Sequence, residues 1–270
     1  MIIDFHTHIF PDSMAEKTIR YLSEKGQILP CSDGTVGGLL KRMEEAGVDL
    51  AITLPVLTNP AHFDHVNQYA ASVNEELANA RRRLISFAGI HPRCEEIEKK
   101  MAWIKKNGFL GVKIHPDYQD AFINDEGYIR ILEAAKEEDL IVVTHAGADC
   151  AFRGQPVKCP PALALEVIRR VKHPKLVLAH YGGNEMADEV LEHLCGEDVY
   201  FDTSFVLKAI GEQTFRAILE RHGEDKILFA TDSPWSDIRE DLAILQSFSL
   251  QKKTEEKLLC GNAKKLLGIS

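Results

Sequence analysis

Apolar residues in this chain fall into short unbroken runs, separated by stretches in which they recur every three or four positions. The first run, Ile2-Ile3-Asp4-Phe5, carries no turn residue and reads as a buried strand. Seven more follow: 49–54, 84–90, 110–114, 140–145, 175–180, 199–202 and 226–232. Between them the helical period predicts helices over 13–25, 35–46, 64–79, 95–107, 127–138, 162–171, 184–195 and 212–222, with two closing helices near 238–247 and 254–267. Thr35 is placed to cap the second helix and Gly47 to stop it.

Strands that are apolar throughout belong to a parallel sheet covered on both faces. Eight β/α alternations in 270 residues, with no linker or composition break, predict one (β/α)₈ barrel domain spanning residues 1–270. A doubly wound open sheet is the alternative. Against it, no G-x-G-x-x-G follows the first strand, and Gly37-Gly38 lie inside a helix pattern. Residues 9–34 form a connection too long for a simple βα loop, placed to cover a site.

A hydrophobic content of 45% suffices for a large core. A net charge of −9 argues against nucleic acid or an anionic membrane as a partner. No apolar run approaches the roughly 18 residues of a membrane span, and the start resembles no export signal, so a cytoplasmic location is expected. The six cysteines form no C-x-x-C pair and read as reduced thiols. A small-molecule substrate is the expected partner, and a homodimer is expected only by its general frequency.

The chemistry lies at the strand ends. His6 and His8 project to the same side of a strand, one side chain apart, as a pair able to chelate a divalent cation. On the same parity Asp4 sits one layer deeper, as a buried hydrogen-bonded partner. Of eleven histidines, six (His6, His8, His91, His115, His145, His180) fall at or just after strand ends, and Asp232 completes the set. In a barrel those ends converge on one face, where active sites sit.

These residues carry a family resemblance. Asp4-Phe-His-Thr-His8, Gly111-Val-Lys-Ile-His-Pro116, Thr144-His145, Ala179-His-Tyr-Gly-Gly183 and Ala230-Thr-Asp-Ser-Pro-Trp235, in that order, resemble the amidohydrolase superfamily, within it the branch of aminocarboxymuconate semialdehyde decarboxylase. The resemblance covers the whole chain. It implies His6, His8 and His145 as metal ligands and Asp232 as a carboxylate that touches the metal and takes a proton from its water. It implies His180 as the residue that polarises substrate or moves a proton. Three imidazoles and a carboxylate suit zinc, with other divalent ions open. One ion is favoured. A second would use Lys113, which binuclear members carboxylate, together with His180.

Lys113 and His115 share a strand parity that points both into the barrel. With Tyr118 they are candidate substrate contacts, although a structural His-Pro turn reads equally well. Arg153, in the long loop after the fifth strand, is a candidate for binding a substrate carboxylate, with a plain surface arginine as the equal alternative. Phe10 and Trp235 are placed to wall the pocket. The expected reaction is metal-assisted hydrolysis of an amide, ester or lactone in a small anionic substrate. The alternative is non-oxidative decarboxylation on the same centre. A barrel kept only for binding is disfavoured by the intact ligand set.

Overall fold

A computed structural model describes residues 1–77 and 83–269. Parallel strands run in sequence order: β1 (Ile3–Thr7), β2 (Leu50–Thr53) and β3 (Arg83–Ser86), then β4 (Ala88–Gly89), β5 (Gly111–Ile114), β6 (Ile141–Thr144), β7 (Leu176–Leu178), β8 (Tyr200–Asp202) and β9 (Ile227–Leu228). β3 and β4 are two halves of the third barrel strand, parted only at Phe87, whose N–H still bonds to Thr53 O at 2.9 Å. The ring closes between the last strand and the first. Phe5 N–H donates to Phe229 O at 2.9 Å and Asp232 N–H to His6 O at 2.8 Å, and Thr7 pairs with Ser233. The fold is an eight-stranded (β/α)₈ barrel.

The predicted helices form with small shifts: α1 (Asp12–Gly26), α2 (Val36–Ala46), α3 (Phe63–Leu77) and α4 (Ile97–Lys106). Thr35 caps α2 by accepting from Gly38 N–H, and Gly47 ends it at φ 73°. The expected end of α3 at Asn79 lies outside the described residues. The His-Pro turn weighed at 115–116 forms as the short helix α5 (Pro116–Gln119), which precedes α6 (Glu126–Glu137), α7 (Pro161–Val171), α8 (Ala187–His193) and α9 (Leu207–His222). After them come α10 (Ile238–Ser247), α11 (Lys252–Glu256) and α12 (Asn262–Leu267), the last two joined by a π-turn.

Two buried layers hold the barrel. Ile3, Phe5, Ile52, Val143, Val177 and Leu228 meet in its interior, which Leu266 and Leu267 of α12 plug from below. A larger layer lies between strands and helices, including Leu39, Met43, Ile97, Met101, Val112 and Ile131. Burying apolar side chains of this size contributes roughly 1.5–3 kcal/mol each. Among the described residues no helix is long and apolar enough to cross a membrane.

One strand departs from simple alternation. The pairing of β1 with β2 shifts register between Asp4 and Thr7. Phe5 therefore joins the interior cluster, yet His6 next to it also reaches the barrel mouth. Asp4 is displaced to the other side, where its carboxylate accepts from Thr231 Oγ1 at 2.6 Å and Thr231 N–H at 3.0 Å. It is the expected buried, hydrogen-bonded partner, but not in the layer beneath His6. Burial pushes its pKa up to about 8.

Candidate active site

Five of the six strand-end histidines, with Lys113 and Asp232, open into one cavity of about 710 Å³; His91 does not reach it and instead accepts Arg93 N–H at its Nδ1 within its own turn. β1 supplies His6 and, just beyond it, His8. Lys113 sits within β5, His145 directly follows β6, His180 follows β7 and Asp232 follows β9. His180 and Asp232 adopt φ of 58° and 70°, left-handed values that turn the chain sharply off the strand. The floor of the cavity is therefore polar. Its walls come largely from apolar and aromatic side chains, among them Phe10, Met14, Tyr21, Phe152 and Trp235.

Hydrogen-bond partners fix the imidazole protons. His8 Nδ1 lies 2.8 Å from Leu54 O, which can only accept, so Nδ1 carries the proton. His6 Nδ1 lies 2.9 Å from Asp202 Oδ2 and is protonated by the same reasoning. Both Nε2 atoms then present lone pairs, and they face each other at 3.2 Å. Asp232 Oδ1 stands 3.0 Å from His8 Nε2 and 3.4 Å from His6 Nε2. Three lone-pair donors thus converge within 4.8 Å of one another. The Lys113 ammonium, 3.1 Å from His6 Nε2, is the positive charge beside them. Such a set fits a divalent cation, and the Asp202–His6 pair is the outer carboxylate–imidazole arrangement that orients a metal ligand.

The charge states agree. Burial and the adjacent Lys113 ammonium hold His6 neutral, its pKa lowered to about 3. Burial lowers Lys113 to about 8, opposed by Asp202 and Asp232. Burial also works against ionised Asp202 and Asp232. For both, the neighbouring histidines and hydrogen bonds outweigh it, and Asp232 settles at about 2. Asp202 is further held by Ser204 Oγ and by N–H groups of Ser204 and His180.

His145 is the one expected ligand that stands apart from the converging three. Its Nδ1 lies 3.0 Å from His180 Nε2, and its ring stacks on His115 with centroids 4.3 Å apart. With His115 and Asp149 it forms a second cluster within 4.8 Å. Burial, then the neighbouring histidines, keep His145 uncharged. His115 Nε2 faces Asp149 Oδ2 at 3.4 Å. Burial would raise Asp149, but its bond to His115 prevails and lowers it. Burial, then the Asp149 charge, raise Asp117 to about 6.

Of the expected substrate contacts, Lys113, His115 and Tyr118 line the cavity, as do Phe10 and Trp235. Arg153 does not. The turn Cys150–Phe152 brings Phe152 to the cavity, while Arg153, in extended conformation, leaves it and is exposed. A cation from another segment stands at that wall: Lys25 of α1, its Nζ 3.8 Å from the Phe152 centroid and 4.6 Å from that of Tyr118. Nine side chains on or flanking α1, including Met14, Tyr21 and Leu22, wall the cavity, so segment 9–34 does cover the site. Sequence reasoning missed Asp202, Ser204, Asp149 and Asp117. For Asp202 a signal was present, since it ends the seventh strand. The other three sit on loops or short turns, where no period marks an inward side chain.

The sequence profile of a family described as amidohydrolase matches residues 3–269. A comparison with curated proteins gives no match. Among solved structures, 5-carboxyvanillate decarboxylase from Sphingomonas paucimobilis superposes with TM-score 0.70 at 15% identity, covering 100% of this chain and 99% of the other. A probable 2-pyrone-4,6-dicarboxylic acid hydrolase from Acinetobacter baumannii, with citric acid bound, gives 0.69 at 17%, covering 99% of each chain. A dihydroxybenzoic acid decarboxylase from Polaromonas, with bound manganese and 2-nitroresorcinol, gives 0.71 at 15%, covering 99% and 96%. At these identities the superpositions speak to the fold. The profile, which spans nearly the whole chain, speaks to descent: this protein belongs to the amidohydrolase family.

Proposed function

We propose that the protein is a divalent-metal-dependent hydrolase that cleaves an amide, ester or lactone bond in a small anionic substrate. The convergence of His6 Nε2, His8 Nε2 and Asp232 Oδ1 carries this reading. Those three residues, with His145, would hold the ion. A cation there would polarise the substrate and lower the pKa of water towards about 7. Zinc matches the imidazole-rich set, and the manganese in the Polaromonas enzyme keeps that ion in view.

The chain's own groups supply the rest. Asp232, ionised well below neutrality, takes the proton of the attacking water and returns it to the leaving group. His180 donates its Nδ1 proton to Ser204 O at 2.9 Å, which fixes its ring and leaves Nε2 free to accept a proton at the cavity floor. Lys113 from below, with Lys25 and Lys158 on the walls, favours a substrate bearing carboxylates. The α1 segment and Phe152 limit water around it.

Decarboxylation is the second reading. It draws on the aromatic walls, which suit a planar acid, and on the two decarboxylases that share the fold. A panel of carboxylated esters, lactones, amides and aromatic acids in ¹⁸O-water separates the two. Hydrolysis puts one solvent oxygen into product. Carbon dioxide release without that label transfers the assignment to decarboxylation. Turnover that persists in His6→Ala overturns both.

A further inference from the structure

Behind His145 lies a carboxylate with no evident employment. Asp117, in the turn α5, is 4% exposed, and its Oδ2 faces His145 Nε2 at 3.8 Å. Both atoms are buried, and neither has a hydrogen-bond partner among the described residues. Buried polar atoms left unpaired cost on the order of 1–3 kcal/mol each. Here two of them lie side by side, just beyond hydrogen-bond reach.

With Asp117 ionised, as at neutral pH, one proton arrangement lets them satisfy each other. An ionised carboxylate accepts, so His145 must carry its proton on Nε2. Nδ1 is then a lone pair, aimed at His180 Nε2 3.0 Å away. His180 gives its own Nδ1 proton to Ser204 O, so its Nε2 is a lone pair as well. Two lone pairs at 3.0 Å repel unless a positive charge attends them. The carboxylate behind His145 thus dictates what its front must meet.

We infer that Asp117 is a positioning residue for the metal centre: by holding the Nε2 proton of His145, it keeps the Nδ1 lone pair available to the cation. The arrangement parallels Asp202 behind His6, where the contact is already 2.9 Å. The inference rests on the metal-dependent reading above and adds to it the residue that recruits His145, the expected ligand standing apart from the other three.

The competing arrangement puts the His145 proton on Nδ1 and turns the Nε2 lone pair towards a second ion shared with His115 and Asp149. His115 opposes it. Its Nδ1 accepts Tyr118 N–H at 3.5 Å, so its own proton sits on Nε2, towards Asp149, and offers no lone pair there.

The test is the affinity for Zn²⁺ by chelator competition, with the absorption spectrum of the Co²⁺-loaded protein as a second readout. Wild type, His6→Ala, His115→Ala, Asp117→Asn and Asp117→Ala are compared. Loss of an outer carboxylate weakens metal binding by about 10–100-fold, and Asp117→Ala should fall in that range with an altered Co²⁺ spectrum. Asp117→Asn, which keeps an acceptor without its charge, should lie between it and wild type. If the alanine variant does not fold, the asparagine variant alone decides: a measurable loss supports the inference and wild-type affinity overturns it. Undiminished affinity in Asp117→Ala, with binding lost in His6→Ala, overturns the positioning role and leaves the metal centre standing. Full binding in His6→Ala overturns the centre itself. A second equivalent that disappears in His115→Ala assigns the Nε2 lone pair to another ion and overturns the inference too.

Discussion

Two imidazole clusters share the barrel mouth, built from the same residue types but finished differently. Around His6 and His8, each Nδ1 meets an acceptor at 2.8–2.9 Å, and the free lone pairs converge with Asp232. Around His115 and His145 the carboxylates stand at 3.4 and 3.8 Å, and the rings stack on each other instead. The difference follows the backbone. His6 is held by a strand paired on both sides, and its carboxylate ends another strand. Asp117 and Asp149 sit on a short turn and in a long loop, where a side chain is positioned less rigidly. Preorganisation here tracks distance from the sheet.

The sharpest way to break the contrast is at Asp232. Asp232→Asn should cost about 10²–10⁴-fold in kcat, the usual worth of a positioned acid–base group, as read by steady-state kinetics with metal in excess.

Next in size is an acid loss to which two histidines far from both clusters contribute alongside those within them, bounding the pH range where the clusters can be compared. His173 and His222 are each lowered to about 4, mainly by burial. Between pH 4 and the unfolded value near 6.5, the unfolded chain binds protons that the native state refuses. Stability therefore falls as pH drops from 6.5 towards 4, by at most ~3 kcal/mol for each group. Urea melts at pH 7 and 5 should show the loss, and His173→Gln with His222→Gln should reduce it, leaving the part owed to buried cluster histidines such as His6.

Asp202→Asn should weaken metal binding by about 10–100-fold in a chelator competition. If it does not, the tight contacts around His6 are structural and the contrast between the clusters loses its functional meaning. Smallest is His115→Phe, which preserves the stacked ring. We expect the metal content to stay at the wild-type value and kcat/KM to drop by about 3–10-fold, close to the worth of one hydrogen bond.

The strand-end histidines were legible because periodicity locates strand ends and barrel geometry makes them converge. Lys113, buried beside His6, followed from parity alone. Parity failed at Asp4, since a register shift is a property of the pairing between β1 and β2 and leaves no mark on either strand by itself. Arg153 failed for another reason. Its place in the loop after the fifth strand made it a candidate, but which segment delivers a cation to that wall depends on how α1 folds over the mouth, and Lys25 arrived from a segment far away in sequence. Asp117 could not be singled out before Pro116–Gln119 was seen to form a turn behind His145.

The closing seam of the barrel has a consequence for how the protein is made. The first and last strands are stitched together at the proposed ligands themselves, by Asp232 N–H to His6 O and His8 N–H to Ser233 O. On a ribosome, His6 and His8 emerge more than two hundred residues before Asp232 and wait through the intervening strands for it. A nascent chain shorter than the eighth strand then has neither a closed sheet nor the complete proposed ion site, so an ion held as proposed would be captured late in synthesis.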